Sequence, residues 1–173
     1  MSNGGLISGA FAVTDTSSLA TYSTSRVRIG IGNNSDIFVA DSGEATGNKW
    51  TANTTSFVLA CSDEETALTT GTKLTFRMPF AYTVTAVRAS LTTAGTGANL
   101  VTVDINESGT TILSTKITID ATETTSTTAA TAPVIDDPDL ANDAEMTVDI
   151  DQIDSGGVSA GLKVYIIGYR VAH

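Results

Sequence analysis

Short runs of alternating apolar and polar residues recur from residue 56 to the end of the chain, and they constrain the fold most strongly. A period of two residues is that of a β-strand with one buried face and one exposed face. Turn-forming residues separate the runs, as at Thr70-Gly71 and Ser108-Gly109. We therefore expect a strand at each run, namely at residues 57–61, 73–78, 83–90, 100–106, 111–119, 146–151 and 162–171.

Composition favours the same fold class, because 30 of the 173 residues are Thr, which prefers strands to helices. No segment has the apolar spacing of a long helix. Strands at this spacing predict an all-β protein, an antiparallel β-sandwich with jelly-roll-like topology. The last run contains Val164, Ile166 and Ile167, which suits a central strand covered on both faces.

The alternation also predicts which side chains form the core. The run at 83–90 is ambiguous, because Val84 and Val87 fall on opposite faces of a regular strand. Residues 106–110 lie between two alternating runs and predict a hairpin. The core candidates of the clearer runs are Leu74, Phe76, Met78, Val101, Val103, Ile105, Leu113, Ile117, Ile119, Met146, Val148 and Ile150.

Residues 1–55 differ from the rest, since they are rich in Gly, Ser, Asn and Thr. We interpret them as an extended N-terminal arm or attachment segment, and residues 56–173 as the sandwich domain. Val27, Ile29 and Ile31 alternate with Arg28 and Gly30, which predicts a short strand at 27–31. A turn at 33–35 then leads into the apolar stretch 36–40. Two interpretations stay open: a hairpin at the edge of the domain, or an arm that orders only against a partner.

The charge of −10, from 9 basic and 19 acidic residues, argues against binding nucleic acid or anionic membranes. It favours solubility at high local concentration. We see no apolar run long enough to span a membrane and no signal peptide at the start of the chain. Cys61 is the only cysteine, so an internal disulfide is excluded and stability must come from packing or assembly.

Few residues could support catalysis. His173, the single histidine, is the last residue, where chains are usually frayed. Acidic residues follow Cys61 at 63–65 and would raise the pKa of its thiol, so we expect a small buried residue at a strand end. Asp104, Asp149 and Asp151 are expected on solvated strand faces. We therefore predict no enzyme and no catalytic, cofactor-binding or metal-binding residue.

Three other features could contact a ligand or a partner. The stretch 136–154 holds seven aspartates and Glu145 without Lys or Arg, and it is interpreted as a solvated acidic loop, with Ca²⁺ binding as an alternative. Residues 122–131 are nearly all Thr, Ser and Ala, which fits a polar edge strand or a surface for another subunit. Trp50, the only tryptophan, is either a partner anchor or a core residue.

Six segments of the chain carry a resemblance to known proteins, namely residues 57–80, 87–94, 103–110, 112–120, 140–152 and 161–168. Together these segments resemble a module of virion structural proteins of tailed bacteriophages, found in predicted tail fibres and head-associated proteins. The resemblance covers about residues 57–168, with the matching segments in the same order, and it carries no catalytic residues. Residues 1–55 match no family that we can name.

The resemblance implies a phage structural protein. We expect a capsid decoration (cement) protein on the outer surface of the head, made in the host cytoplasm. Its expected partners are the major capsid protein and further copies of itself, as a dimer or trimer. The alternative is a head or tail fibre module that binds host surface glycans through loops and the aromatic residues Tyr82, Tyr165 and Tyr169.

Overall fold

The structure, a computed structural model, describes residues 36–44 and 47–171. These residues form strands, turns and irregular segments, and none of them is helical. The strands are β1 (Asp36–Ala40), β2 (Asn48–Ala52), β3 (Thr54–Ala60), β4 (Gly71–Arg77), β5 (Tyr82–Ser90), β6 (Val101–Glu107), β7 (Thr110–Thr111), β8 (Leu113–Thr115), β9 (Ile117–Ile119), β10 (Val134–Ile135), β11 (Asp139–Leu140), β12 (Glu145–Gln152) and β13 (Lys163–Arg170).

Two main sheets enclose one apolar core, and every strand pair is antiparallel. The first sheet has the order β11-β5-β13-β3, and the second has the order β4-β12-β6-β7 with β9 also on β6. Two small sheets accompany them, β1-β2 and β10-β8. The predicted all-β antiparallel sandwich is confirmed.

The pairing of the main strands is nested along the chain. β3 pairs with β13, β4 with β12, β5 with β11, and β6 with β9. Early strands thus pair with late ones, and only the innermost pair is close in sequence. Most of the contacts that hold the sandwich together are therefore long-range, which is expected to make folding slow relative to a helical protein of this length.

The predicted core faces are nearly all correct. Val101, Val103 and Ile105 of β6 are buried, as are Met146, Val148 and Ile150 of β12. Ile105 lies opposite Val148, and Val103 lies opposite Ile150. Leu113, Ile117, Ile119 and Met78 are also buried. Leu74 and Phe76 of β4 face the same core but are only half-buried. They lie on an edge strand, where no further strand covers them.

The ambiguous register of β5 has a structural cause. Ala86 lies opposite Ile167 and Val84 lies opposite Gly168, so Thr85 is an extra residue without a cross-strand partner. Such a bulge shifts the alternation by one residue. Val84 and Val87 are consequently both buried, although a regular strand would place them on opposite faces.

Beside this bulge, Gly168 of β13 lies against the backbone of β5 and under the ring of Tyr82. A Cβ atom at position 168 would overlap the carbonyl oxygen of Thr83 and lie 2.8 Å from Cε1 of Tyr82. The hydroxyl of Tyr82 reaches across β13 and donates to the carbonyl oxygen of Thr55, at 2.8 Å. The Tyr82 side chain thus connects β5, β13 and β3 at one point. Only glycine at position 168 leaves room for this contact.

The hairpin predicted at 106–110 is confirmed. Ser108 and Gly109 connect β6 to β7, and both have positive φ, at 50° and 84°. A two-residue turn with two positive φ values matches the twist of antiparallel strands.

β13 is central in its sheet, as predicted, but the expected cover on both faces is wrong for the outer one. Val164 and Ile166 are buried, whereas Tyr165, Ile167 and Tyr169 are half-buried on that outer face. A second layer lies on one side of this sheet only, which explains the difference.

Candidate interaction surfaces

β1 and β2 form a two-stranded ribbon with exposed apolar side chains on both faces. Phe38 pairs with Trp50 across the ribbon, and their ring centroids are 4.9 Å apart. Phe38 is 43% exposed and Trp50 40% exposed, while Ile37 is 44% exposed on the opposite face. Of the two sequence interpretations of Trp50, the structure supports the exposed one.

Local charges fix the turn end of the ribbon. Lys49 forms an ion pair with Asp41, and Asp41 Oδ1 accepts a hydrogen bond from the Gly43 amide at 2.8 Å. These contacts lower the pKa of Asp41, chiefly through the hydrogen bond from Lys49, and the same hydrogen bond raises the pKa of Lys49. The ribbon is therefore held in shape at this end by contacts of its own.

The ribbon continues directly into the sandwich, because only Asn53 separates β2 from β3. β1 pairs with β2, a strand that the sequence analysis did not predict. The strand predicted at 27–31 and the turn at 33–35 lie outside the described residues, as does the rest of the arm before residue 36. The described part of the predicted arm is thus a ribbon attached to an edge strand of the first sheet.

Asp154 locks two loops together at one end of the sandwich. Its side chain is 3% exposed and accepts hydrogen bonds from the amides of Thr96 at 3.0 Å, Val158 at 3.3 Å and Ser159 at 3.2 Å, and from the Ser159 hydroxyl at 2.5 Å. Burial, the largest single effect, would raise the pKa of Asp154, but the four hydrogen bonds outweigh it and lower this pKa to about 2. The carboxylate therefore serves a structural purpose.

The prediction that Asp104 lies on a solvated strand face is wrong, because its side chain is buried. It is 5% exposed, and the side chains of Thr111 and Lys116 contact it. Lys116 Nζ lies 2.9 Å from Asp104 Oδ2, and the Thr111 hydroxyl donates to Asp104 Oδ1 at 2.5 Å. Lys116 also pairs with Asp151 at 2.5 Å, and the hydrogen bonds that Lys116 donates to Asp151 and to Asp104 raise the pKa of Lys116.

We expect Lys116→Met to destabilise the protein by about 1–2 kcal/mol, because Asp104 would lose its cation while staying largely buried. The expected loss is moderate, since water can approach from the side where Lys116 is 40% exposed. Chemical denaturation measures the change. Arg88→Met is the matched control, because Arg88 is exposed and its side chain forms no ion pair with any described residue. Equal stabilities of the two variants would contradict this role of Lys116.

The acidic stretch 136–154 is not the single solvated loop that we expected. It contains β11 and β12, and its carboxylates have different surroundings. Asp139 accepts a hydrogen bond from the Thr83 hydroxyl at 2.8 Å, Asp149 accepts one from Asn106 at 2.6 Å, and Asp154 is buried. Within residues 36–44 and 47–171, no three His, Cys, Asp or Glu side chains are grouped to hold a metal ion.

Cys61 is buried directly after β3, as predicted, but the reason for its raised pKa is different. Burial raises the pKa of the thiol to about 11. The acidic residues that follow at 63–65 are exposed and do not contribute to this shift. A thiol with such a pKa carries almost no thiolate at neutral pH, so Cys61 is a poor nucleophile. His173 lies outside the described residues.

Tyr165 and the Thr-rich segment 122–131 meet on the outer face of the first sheet. Tyr82 is fully buried, whereas the half-buried Tyr165 borders a shallow depression of about 230 Å³ that Arg88, Thr125 and Thr127 also line. The segment 122–131 is irregular rather than a strand, and it meets the end of β5 through one bridge between Ser90 and Thr125. It therefore lies beside the edge of β5.

Comparison with protein-family models, with curated proteins and with solved structures finds no match for this chain. In the part of the chain that the structure describes, no helix is long and apolar enough to cross a membrane.

Proposed function

We propose that this protein is a structural component of a tailed-bacteriophage virion, a decoration protein that binds the outside of the head and reinforces contacts between capsid subunits. The observation that carries the proposal is the β1–β2 ribbon, with Ile37 exposed on one face and the Phe38–Trp50 pair on the other. Binding to a second surface would bury these side chains and stabilise the ribbon.

The strand order supports a jelly-roll topology for the sandwich. The first main strand pairs with the last, the second with the one before it, and so on to β6 and β9 at the centre. This arrangement is what results when one long antiparallel ribbon of four strand pairs is rolled into two sheets. Jelly rolls are common in viral capsid proteins and in lectins, so the topology agrees with both functions considered for this chain, although fold alone assigns neither.

In a protein that coats a particle, the ribbon would attach to the shell and the sandwich would face the solvent. The net charge of −10 keeps densely arranged copies soluble, while the ribbon exposes the apolar side chains of Ile37, Phe38 and Trp50. Each contact with the major capsid protein is individually modest. Many copies on a symmetric shell would add such contacts over the whole surface and resist its expansion.

The alternative function is a fibre module that binds host glycans, and the depression beside Tyr165 favours it. An aromatic ring with neighbouring hydroxyl groups and Arg88 can stack on a sugar and form hydrogen bonds with it. The depression is shallow and open, however, and Tyr165 already shares a hydrogen bond of 3.1 Å with Ser90. We therefore place the head decoration first.

Reconstitution on phage heads tests the proposal. Heads are purified from a phage that lacks this gene, mixed with the recombinant full-length protein and sedimented, and the bound protein is quantified. We expect saturable binding at hundreds of copies per head. Phe38→Lys should reduce binding by roughly tenfold or more, because a charge would have to be buried in the apolar contact.

Thr75→Lys is the matched control, because Thr75 is exposed on β4 of the sandwich and distant in sequence from the ribbon. It should bind like the wild type. Binding of the wild-type protein to purified host polysaccharide, with none to heads, would reject the decoration function in favour of the fibre module. Equal binding of Phe38→Lys and the wild type to heads would reject the ribbon as the attachment surface.

A further inference from the structure

Among the described residues the two main sheets have four edges, and three of them discourage pairing with another strand. β11 and β7 are only two residues long. β4 is longer but carries Lys73 and Arg77. Short strands and basic side chains are the usual means by which proteins avoid edge-to-edge association.

The fourth edge, β3, has neither of these protections. Its seven residues, Thr54–Ala60, include no charged residue and no proline. β3 pairs with β13 on one side only, so the backbone groups on its other side face outward within the described structure. Val58 is 59% exposed on the outer face. An uncharged edge strand of this length is a template for a further strand.

The core side of β3 is also incompletely covered. Phe57 and Leu59 pack against the core but remain half-buried, because the sheet ends at β3. Each would lose more of its exposed surface if another strand lay alongside. A strand added at this edge would therefore gain hydrogen bonds from the backbone and bury apolar surface from both partners.

We propose that β3 is the interface of a homodimer, in which β3 of one copy pairs antiparallel with β3 of a second copy across a two-fold axis. The two first sheets then form one continuous sheet. A two-fold contact requires a surface that complements itself. β3 meets this requirement, because its side chains are all neutral and its half-buried Phe57 and Leu59 would cover their counterparts in the partner.

The distribution of charge favours self-association through β3 over self-association through another edge of the sheets. Two chains of net charge −10 repel each other, so self-association needs a contact that adds no further like charge. β3 provides such a contact, whereas pairing β4 with β4 would bring Lys73 and Arg77 of both copies together. The dimer also leaves the β1–β2 ribbon of each copy, which precedes β3, for a different partner.

Sedimentation velocity of the full-length protein over a range of micromolar concentrations tests the interface. We expect the wild type to dimerise and Val58→Lys to raise the dissociation constant by roughly tenfold or more, because two lysines would face each other near the two-fold axis. Thr75→Lys, which adds the same charge to the exposed face of β4, should dimerise like the wild type. Thermal unfolding of both variants verifies that they are folded.

Hydrogen exchange of the wild type supplies a test that needs no variant. Amides of residues 54–60 should exchange more slowly as the protein concentration rises, while those of 71–77 should not change. A wild type that stays monomeric at all concentrations overturns the proposal. So does a dimer that Val58→Lys leaves intact but Ile29→Lys disrupts, since the contact would then involve the predicted strand at 27–31.

Discussion

Gly168→Ala is expected to lower the free energy of unfolding by about 3 kcal/mol or more. The new Cβ atom would overlap the Thr83 carbonyl oxygen, which belongs to the backbone of the neighbouring strand and cannot move aside alone. Relief requires β13 and β5 to separate, and the Tyr82 ring to leave its place above position 168. Chemical denaturation followed by circular dichroism measures the loss.

Gly43→Ala is the control for this experiment. Gly43 lies in the ribbon turn, and a Cβ atom there would meet only the side chain of Asp41, at 3.2 Å from Oδ1. We expect a change within about 0.5 kcal/mol. If Gly168→Ala were as stable as Gly43→Ala, the close contact between β13 and β5 described above would be wrong.

Asp154→Ala is expected to cost about 3 kcal/mol, because it leaves the buried amide of Ser159 and the partly buried amide of Thr96 without their acceptor. The two loops that Asp154 joins would separate, and residues 94–97 and 154–159 should exchange their amide hydrogens faster. Asp137→Ala is the control, since Asp137 is an exposed aspartate of the same acidic stretch. Equal stabilities of the two variants would contradict the role of Asp154 in joining these two loops.

The lowered pKa of Asp154 predicts how the stability of the protein depends on pH. The pKa of Asp154 falls from an ordinary 3.8 to about 2 on folding, so its ionised form stabilises the folded state above pH 3.8. That contribution, about 2 kcal/mol, is lost as the pH falls from about 4 to about 2. Asp154→Asn cannot ionise, and its stability difference from the wild type should shrink over this range. A difference that stays constant would contradict the lowered pKa.

The strands were predictable from sequence because each main one has a single face in the core. Val101, Val103 and Ile105 alternate with polar residues, and this alternation survives because burial selects one face. β2 was not predicted, since Trp50 is its only large apolar residue and no periodic pattern results. Ribbons whose side chains are largely exposed leave little trace in the hydrophobic pattern.

Other features depend on contacts between distant parts of the chain. Asp104 is polar and occupies the outward position of β6, so its burial could not be predicted without knowing that Thr111 and Lys116 contact it. Gly168 looks like any strand glycine until the Tyr82 ring is placed above it. The β5 bulge, by contrast, had a sequence signal: Val84 and Val87 are both apolar and lie an odd number of residues apart.

The candidate surfaces were only partly predictable for the same reason. The sequence identified Trp50 as either an anchor or a core residue, and only its pairing with Phe38 in an exposed ribbon decides between them. It also indicated that no residue pattern selects a catalytic pair. The uncharged edge at β3 could be read as a strand, but its position at the edge of the sheet follows from the nested pairing.

A cryo-EM reconstruction of the intact phage particle tests the central claim most directly. The account predicts density for the sandwich on the outer surface of the head, in hundreds of symmetry-related copies, with the β1–β2 ribbon against the major capsid protein. Density confined to a few copies in the tail or its fibres, or a particle that contains none of this protein, would contradict it.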